Sequence, residues 1–83
     1  MADVKVYGAD WCPMTRNTLA FLEDEGVPFD YINIDEDRQA AQWVMDRNDG
    51  KEKKPTLDIN GQVLSVPSQS ELTGVLRSEG ILR

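Results

Sequence analysis

The reactive chemistry of this chain rests on one sulfur. Cys12 is the only cysteine among 83 residues, and it lies in the stretch ADWCPMTRNT, Ala9 to Thr18. Trp11 precedes it, Pro13 follows it and Thr15 stands three residues on, the spacing of a two-thiol redox site with its second thiol missing. There is no histidine, so chemistry near pH 7 must use a shifted Cys, carboxylate or Lys. A free thiol titrates at about 8.5, and a helix N-terminus lowers that by one to several units. Pro13 suits a first helical turn, where its missing N–H would have had no intrahelical partner. Cys12 then falls at the cap, where unpaired backbone N–H groups point. Thr15, at i+3, brings a hydroxyl to the same face and can donate a hydrogen bond to the sulfur. Trp11 is expected to limit water on one side, and Arg16 to add positive charge. The setting favours a reactive, partly exposed thiolate; the competing reading of a lone Cys is a small buried hydrophobe.

Other groups carry weaker chemical signals. Pro55 opens a strand, a position that proline tolerates. KEKK, Lys51 to Lys54, holds three of the nine basic residues. It reads as a solvated loop, or as an anchor for the carboxylates of a thiol ligand or for an acidic partner. Asp35, Glu36 and Asp37 read as charge at a helix N-terminus, and no metal site is expected. Trp43 and Met45 read as core or near-core residues.

The elements that must position these groups follow from period and punctuation. VKVY, Val4 to Tyr7, is a short strand ending at Gly8. A helix runs from Pro13 through Thr15, Thr18, Leu19, Phe21 and Leu22 to the Glu25–Gly26 region, with Gly26 as its stop. FDYINID, Phe29 to Asp35, is the second strand, with Phe29, Tyr31 and Asn33 on one side and Asp30, Ile32 and Ile34 on the other. Ala40, Trp43, Val44 and Arg47 give a second helix ending at Asn48 to Gly50. PTLDI and QVLSV flank Asn60–Gly61, a strong hairpin signal. SQSE, Ser68 to Glu71, is a capping box that opens a last helix through Leu72, Val75, Leu76 and Glu79, with Gly80 as its stop. The order is β-α-β-α-β-β-α, an α/β domain. The strand–helix–strand unit makes the first two strands parallel, and the last two form an antiparallel hairpin. A four-stranded mixed sheet with helices on both faces buries every apolar stripe.

The totals bound the rest. The length allows one small domain with a modest core. A composition 40% hydrophobic and 29% charged is that of a globular chain. A net charge of −6 argues against a general binder of nucleic acid or of anionic membranes. A single cysteine forms no internal disulfide and fits a reducing, cytoplasmic setting. The N-terminus lacks a signal-peptide pattern, and no apolar run approaches the roughly 20 residues that cross a bilayer.

VYGADWCPMT after the first strand, KKPTLDINGQ before the hairpin and VPSQSEL into the last helix resemble the glutaredoxin-like branch of the thioredoxin fold. The likeness covers nearly all of residues 1–83. The Trp-Cys start, the PT strand opening and the PS before the final helix are most similar to mycoredoxins and NrdH-type redoxins. The resemblance implies a thioredoxin-like sheet with Cys12 as the nucleophilic first cysteine of a Cys-x-x-Cys site. It makes Pro55 a cis-proline facing that cysteine and Lys54 the residue whose backbone pairs with a bound thiol or peptide. Cys12 and Thr15 are thus the candidate catalytic residues; Trp11, Pro13, Arg16, Lys54, Pro55 and Ser68 are the candidate substrate contacts.

Two departures matter. Val66 to Ser70 reads VPSQS where many glutaredoxins carry a Gly-Gly or Gly-Cys turn and an acidic pair that hold glutathione, so the small thiol remains open. Thr15 occupies the resolving-cysteine position, and its oxygen is too basic to take over a thiolate's part. The site also differs from the Cys-Gly-Phe-Ser motif of iron–sulfur monothiol glutaredoxins. Three readings stand. The first is a monothiol oxidoreductase that reduces protein–small-thiol mixed disulfides, with no bound cofactor, an external low-molecular-weight thiol as reductant and thiolated or disulfide-bearing proteins as partners. The second is an iron–sulfur cluster carrier using Cys12 from two chains. The third is a non-catalytic interaction module or thiol sensor. A monomer is expected for the first.

Overall fold

The computed structural model describes residues 2–82. Seven elements follow in the expected order: β1 (Val4–Gly8), α1 (Pro13–Asp24), β2 (Asp30–Asn33), α2 (Arg38–Arg47), β3 (Thr56–Ile59), β4 (Gln62–Ser65) and α3 (Gln69–Ser78). The sheet order is β2-β1-β3-β4, with β1 parallel to β2 and antiparallel to β3, and β3 antiparallel to β4. This is the thioredoxin-like arrangement.

Alternation along each strand divides the core in two. Val4 and Val6 of β1 point to the face where Leu57, Ile59 and Leu64 meet Leu22 of α1 and Leu72 and Leu76 of α3. Phe29 and Tyr31 pack on the same face, while Ile32 and Ile34 turn to the other, against Ala40, Ala41 and Val44 of α2. The sides expected for β2 therefore hold. The strand itself is shorter than expected, because the Asn33 side chain accepts from the Asp35 N–H and turns the chain out of the sheet. Tyr7 lies on the α2 face, its ring stacked on Trp43 at 4.3 Å, with the Arg47 guanidinium 4.0 Å over the same indole.

Local punctuation agrees with the sequence. Gly26, at φ 69°, ends α1. Asn60 and Gly61, at φ 53° and 90°, take the paired left-handed geometry of a tight hairpin turn. Ser68 caps α3 by accepting the Glu71 N–H at 3.0 Å.

The connections that matter for function gather at one end of the sheet. The parallel pair β1 and β2 both finish there. β3 begins there, since Thr56 pairs with Tyr7, and β4 finishes there, since Ser65 pairs with Thr56. Segments 9–12, 34–37, 48–55 and 66–68 are thus neighbours. Among them Val66 stands at φ 45°, a left-handed conformation that a β-branched residue adopts only under strain. Its N–H is fixed on the Pro55 carbonyl at 2.8 Å. Val66→Gly is expected to stabilise the fold by about 1 kcal/mol, relief of strain outweighing the added freedom of the unfolded chain. Urea unfolding checks it, and an unchanged or lower midpoint would contradict the strain.

Candidate active site

The turn from β1 into α1 is closed by Cys12 N–H on the Ala9 carbonyl at 3.1 Å. That turn sets Cys12 as the N-cap of α1, with Pro13 as the first helical residue. Cys12 is 8% exposed. It is buried rather than partly exposed, because the loop before β3 closes over it: its thiol points at the Lys54 carbonyl, Sγ to O 3.8 Å. The Lys54–Pro55 peptide bond is cis.

Three influences set the acidity of this thiol. Burial pushes its pKa up. Hydrogen bonding from the Thr15 N–H and hydroxyl and from the Met14 N–H favours the thiolate, as does the positive charge of Lys54, and together they outweigh burial and hold the pKa below the ordinary thiol value. The side-chain hydrogen bond that Cys12 makes is directed at the Lys54 carbonyl, and its side chain makes no capping bond to α1.

Thr15 is fully buried. The Ala9 N–H approaches its Oγ1 at 3.4 Å, which occupies an acceptor site and leaves the hydroxyl proton for the sulfur. The space for Thr15 is made by Gly8: a Cβ built there would stand 2.5 Å from both Oγ1 and Cγ2 of Thr15.

Lys54 and Trp11 form the wall of the site toward β2. The Lys54 ammonium lies 5.0 Å from the Trp11 ring centre and 3.5 Å from a Glu52 carboxylate oxygen, and its side chain is only 15% exposed. Trp11 itself is 64% exposed, yet its indole N–H donates to Asp35 at 2.8 Å. Next to it the Tyr31 hydroxyl donates to Asp10 at 2.7 Å. Burial first, and then the Asp10 hydrogen bond and charge, raise the Tyr31 pKa. On the other side of the thiol a groove of about 420 Å³ runs between α1 and α3, with Met14, Phe21, Pro67, Ser68 and Gln69 in its walls.

A thiol at a helix N-terminus beside a cis-proline is the geometry the sequence likeness implied, and comparison with known proteins agrees. The sequence profile of the family described as Glutaredoxin matches residues 4–64. The chain belongs to the glutaredoxin family. Mycoredoxin 1 of Corynebacterium glutamicum is 40% identical over 57 residues, 69% of this chain and 70% of that one. A putative glutaredoxin of Mycobacterium tuberculosis is 28% identical over 90% of each chain. Among solved structures, a glutaredoxin from Archaeoglobus fulgidus superposes with a TM-score of 0.75 at 27% identity, covering 93% of this chain and 88% of that one. A thioredoxin-like protein at 23% identity has the same fold, with a TM-score of 0.82 over 93% of this chain and 97% of that one. Membership supports a thiol–disulfide oxidoreductase role, with thiols and protein disulfides as partners. No helix among the described residues is long and apolar enough to cross a membrane.

The glutaredoxin site gathers most of the residues singled out from sequence. Thr15 and the Lys54 carbonyl stand at the Cys12 sulfur, Pro55 follows across the cis bond, Trp11 and Pro13 are the chain neighbours of Cys12, and Ser68 lies in the groove wall. Arg16 is exposed, and the cation that acts on the thiol is Lys54 instead. KEKK divides: Lys51, Glu52 and Lys53 are exposed and Lys54 turns inward. The acidic trio also divides. Asp37 caps α2 by accepting the Ala40 N–H, Asp35 holds Trp11 and Glu36 accepts from the Asn33 amide. Sequence reading missed the Asp35–Trp11 and Asp10–Tyr31 contacts, which join residues 24 and 21 positions apart. Only the parallel β1–β2 pairing could have suggested them.

Proposed function

We propose that this protein is a monothiol oxidoreductase that reduces mixed disulfides between protein cysteines and a low-molecular-weight thiol. The carrying observation is the lone Cys12 at the N-cap of α1, with hydrogen-bond donors that lower its pKa and a hydroxyl where a resolving thiol would stand. The Cys12 thiolate attacks the small-thiol sulfur of the substrate. The S–S bond breaks, the protein's sulfur leaves as thiolate and takes a proton from water, and the small thiol remains disulfide-bonded to Cys12. A second small thiolate attacks that adduct and leaves with the first as their symmetric disulfide, restoring the Cys12 thiolate. In the net reaction one free small thiol is consumed, joining the small thiol taken from the substrate as their symmetric disulfide, and one protein thiol is regenerated. No second protein thiol and no bound cofactor takes part.

The test is mass spectrometry of the protein exposed to a mixed disulfide of a cysteine peptide and a small thiol. A Cys12 adduct bearing the small thiol, with free peptide released, supports the cycle. An adduct bearing the peptide, or no adduct, refutes it. A visible chromophore with dimer formation on anaerobic reconstitution with iron and sulfide would favour the cluster carrier instead.

The acidity argument gives a further expected result. Thr15→Val keeps the shape and removes the hydroxyl, so the Cys12 pKa should rise. Iodoacetamide labelling at pH 7 should slow by about three- to tenfold, with its pH midpoint moving up by roughly half to one unit. Because the folded thiol's pKa lies below its unfolded value, the site adds to stability above the unfolded pKa, and that contribution is lost as pH falls through the folded one. The variant should lose part of this gain. An unmoved midpoint would show that the hydroxyl does not reach the sulfur.

A further inference from the structure

We infer that Asn48 is a positioning residue for the active-site lysine, acting through Thr56 and the Lys53 carbonyl. The inference rests on thiol exchange at Cys12 as proposed above.

Asn48 follows α2, far from the thiol in sequence, and is only 7% exposed. A buried primary amide needs partners for two N–H bonds and an oxygen, and leaving any of them unmade is costly. Here all are used. One amide N–H donates to the Val44 carbonyl at 2.8 Å and the amide nitrogen also donates to Thr56 Oγ1 at 3.3 Å. The amide oxygen accepts from the Ser65 hydroxyl. The Asn48 backbone is equally committed: its N–H donates to Met45 and its carbonyl accepts the Lys51 N–H, both at 3.1 Å. One residue therefore ties the end of α2 to the start of β3 and the end of β4.

Thr56 carries the constraint onward. It is fully buried, and its hydroxyl, with Asn48 as donor, gives its own proton to the Lys53 carbonyl at 2.8 Å. Both ends of segment 48–55 are then held, the near end by the Asn48 carbonyl on Lys51 and the far end by Thr56 on Lys53. Between Lys53 and Thr56 lie only Lys54 and Pro55. Lys54 is the residue whose carbonyl stands 3.8 Å from Cys12 Sγ and whose ammonium lies 5.0 Å from the Trp11 ring. Hydrogen-bonded chains of this kind act as a unit in a buried setting. The Val66 N–H on the Pro55 carbonyl holds the downstream side of Lys54, and the Thr56 hydroxyl on the Lys53 carbonyl holds the peptide plane that precedes it.

The consequence is a lysine held near the thiol by a fixed backbone, despite the competing Glu52 carboxylate at 3.5 Å. Other charged groups on this end of the molecule include Asp10 before α1, Arg16 in its first turns, Asp35, Glu36 and Asp37 after β2, and Asp49, Lys51 and Lys53 in the segment that carries Lys54. The start of α3 offers the uncharged Ser68 and Gln69.

The experiment compares Thr56→Val and Asn48→Ala with the parent, reading the pH profile of iodoacetamide labelling of Cys12 together with urea stability. Thr56→Val is close in shape and keeps the strand, so it remains informative if Asn48→Ala fails to fold. The profile should move up by about half a pH unit, roughly a threefold slower reaction at pH 7. The same substitution in a Lys54→Met background should produce no further shift, because the group being positioned is gone. Asn48→Asp, which keeps the acceptor for Ser65 but loses both amide donors, should behave like Asn48→Ala. A loss of stability with an unmoved profile would mean that the network is structural only, and an equal shift in the Lys54→Met background would mean that it acts through another group. Either overturns the inference. Labelling requires no turnover, so this outcome is separate from whether the protein reduces mixed disulfides at all.

Discussion

Cys12→Ser should abolish the reduction of mixed disulfides, lowering turnover by more than about a thousandfold, to the uncatalysed background. The donors at the start of α1 bring a thiol toward ionisation near neutral pH, but a serine hydroxyl begins too basic for the same help to matter. No other cysteine exists to substitute for it, and methionine thioethers do not exchange. The fold should tolerate the change, since the hydroxyl is smaller than the thiol and can still donate toward the Lys54 carbonyl. A coupled assay on a mixed-disulfide peptide, with thermal unfolding as the control, checks both halves. Retained activity within tenfold of the parent would mean that the chemistry resides elsewhere.

The second large effect concerns the residue three positions on. Thr15→Cys should convert the one-thiol cycle into a self-resolving one and shorten the life of the Cys12 adduct by about a hundredfold or more. Thr15 is buried one helical turn on from Cys12, and its hydroxyl favours the thiolate there, so a thiol in its place would start within reach of the disulfide. Even an effective concentration of about 1 M exceeds a millimolar external thiol by roughly a thousandfold, and well-oriented groups reach far higher values. With free thiol removed, the parent adduct should persist and the variant should expel the small thiol, losing its mass and closing an internal disulfide. An equally long-lived adduct in both would show that position 15 does not face the reacting sulfur.

These effects could be anticipated because the signals behind them are local. Pro13 at a first helical turn, Gly26 at its end, Asn60–Gly61 between two alternating runs and Ser68 three residues before Glu71 each specify backbone geometry within a few positions. The fold, the place of Cys12 and the helical turn between Cys12 and Thr15 all follow from such cues. What sequence left open depends on pairing between distant segments. The burial of Cys12 required the loop before β3 to close over it, and that loop is placed by β3 joining β1. Lys54 rather than Arg16 as the acting cation, Asp35 as the anchor of Trp11, and the role of Asn48 all arise where the ends of four strands converge. Residue type alone marks none of them: an Asn after a helix reads as a stop, and an Asp before one reads as a cap.

Gly8 adds a constraint of a different kind. It is the last residue of β1, where any side chain would collide with Thr15, and so the residues that positions 8 and 15 accept are not independent. With glycine at 8, position 15 is free to exchange a hydroxyl for a thiol in one step, and the passage between one-thiol and two-thiol chemistry stays open in both directions. An alanine at 8 would close that passage, since its Cβ would meet the Cβ and the γ atoms that a threonine or a cysteine carries at 15. The history available to this active site is therefore written partly in a strand residue that never meets a substrate.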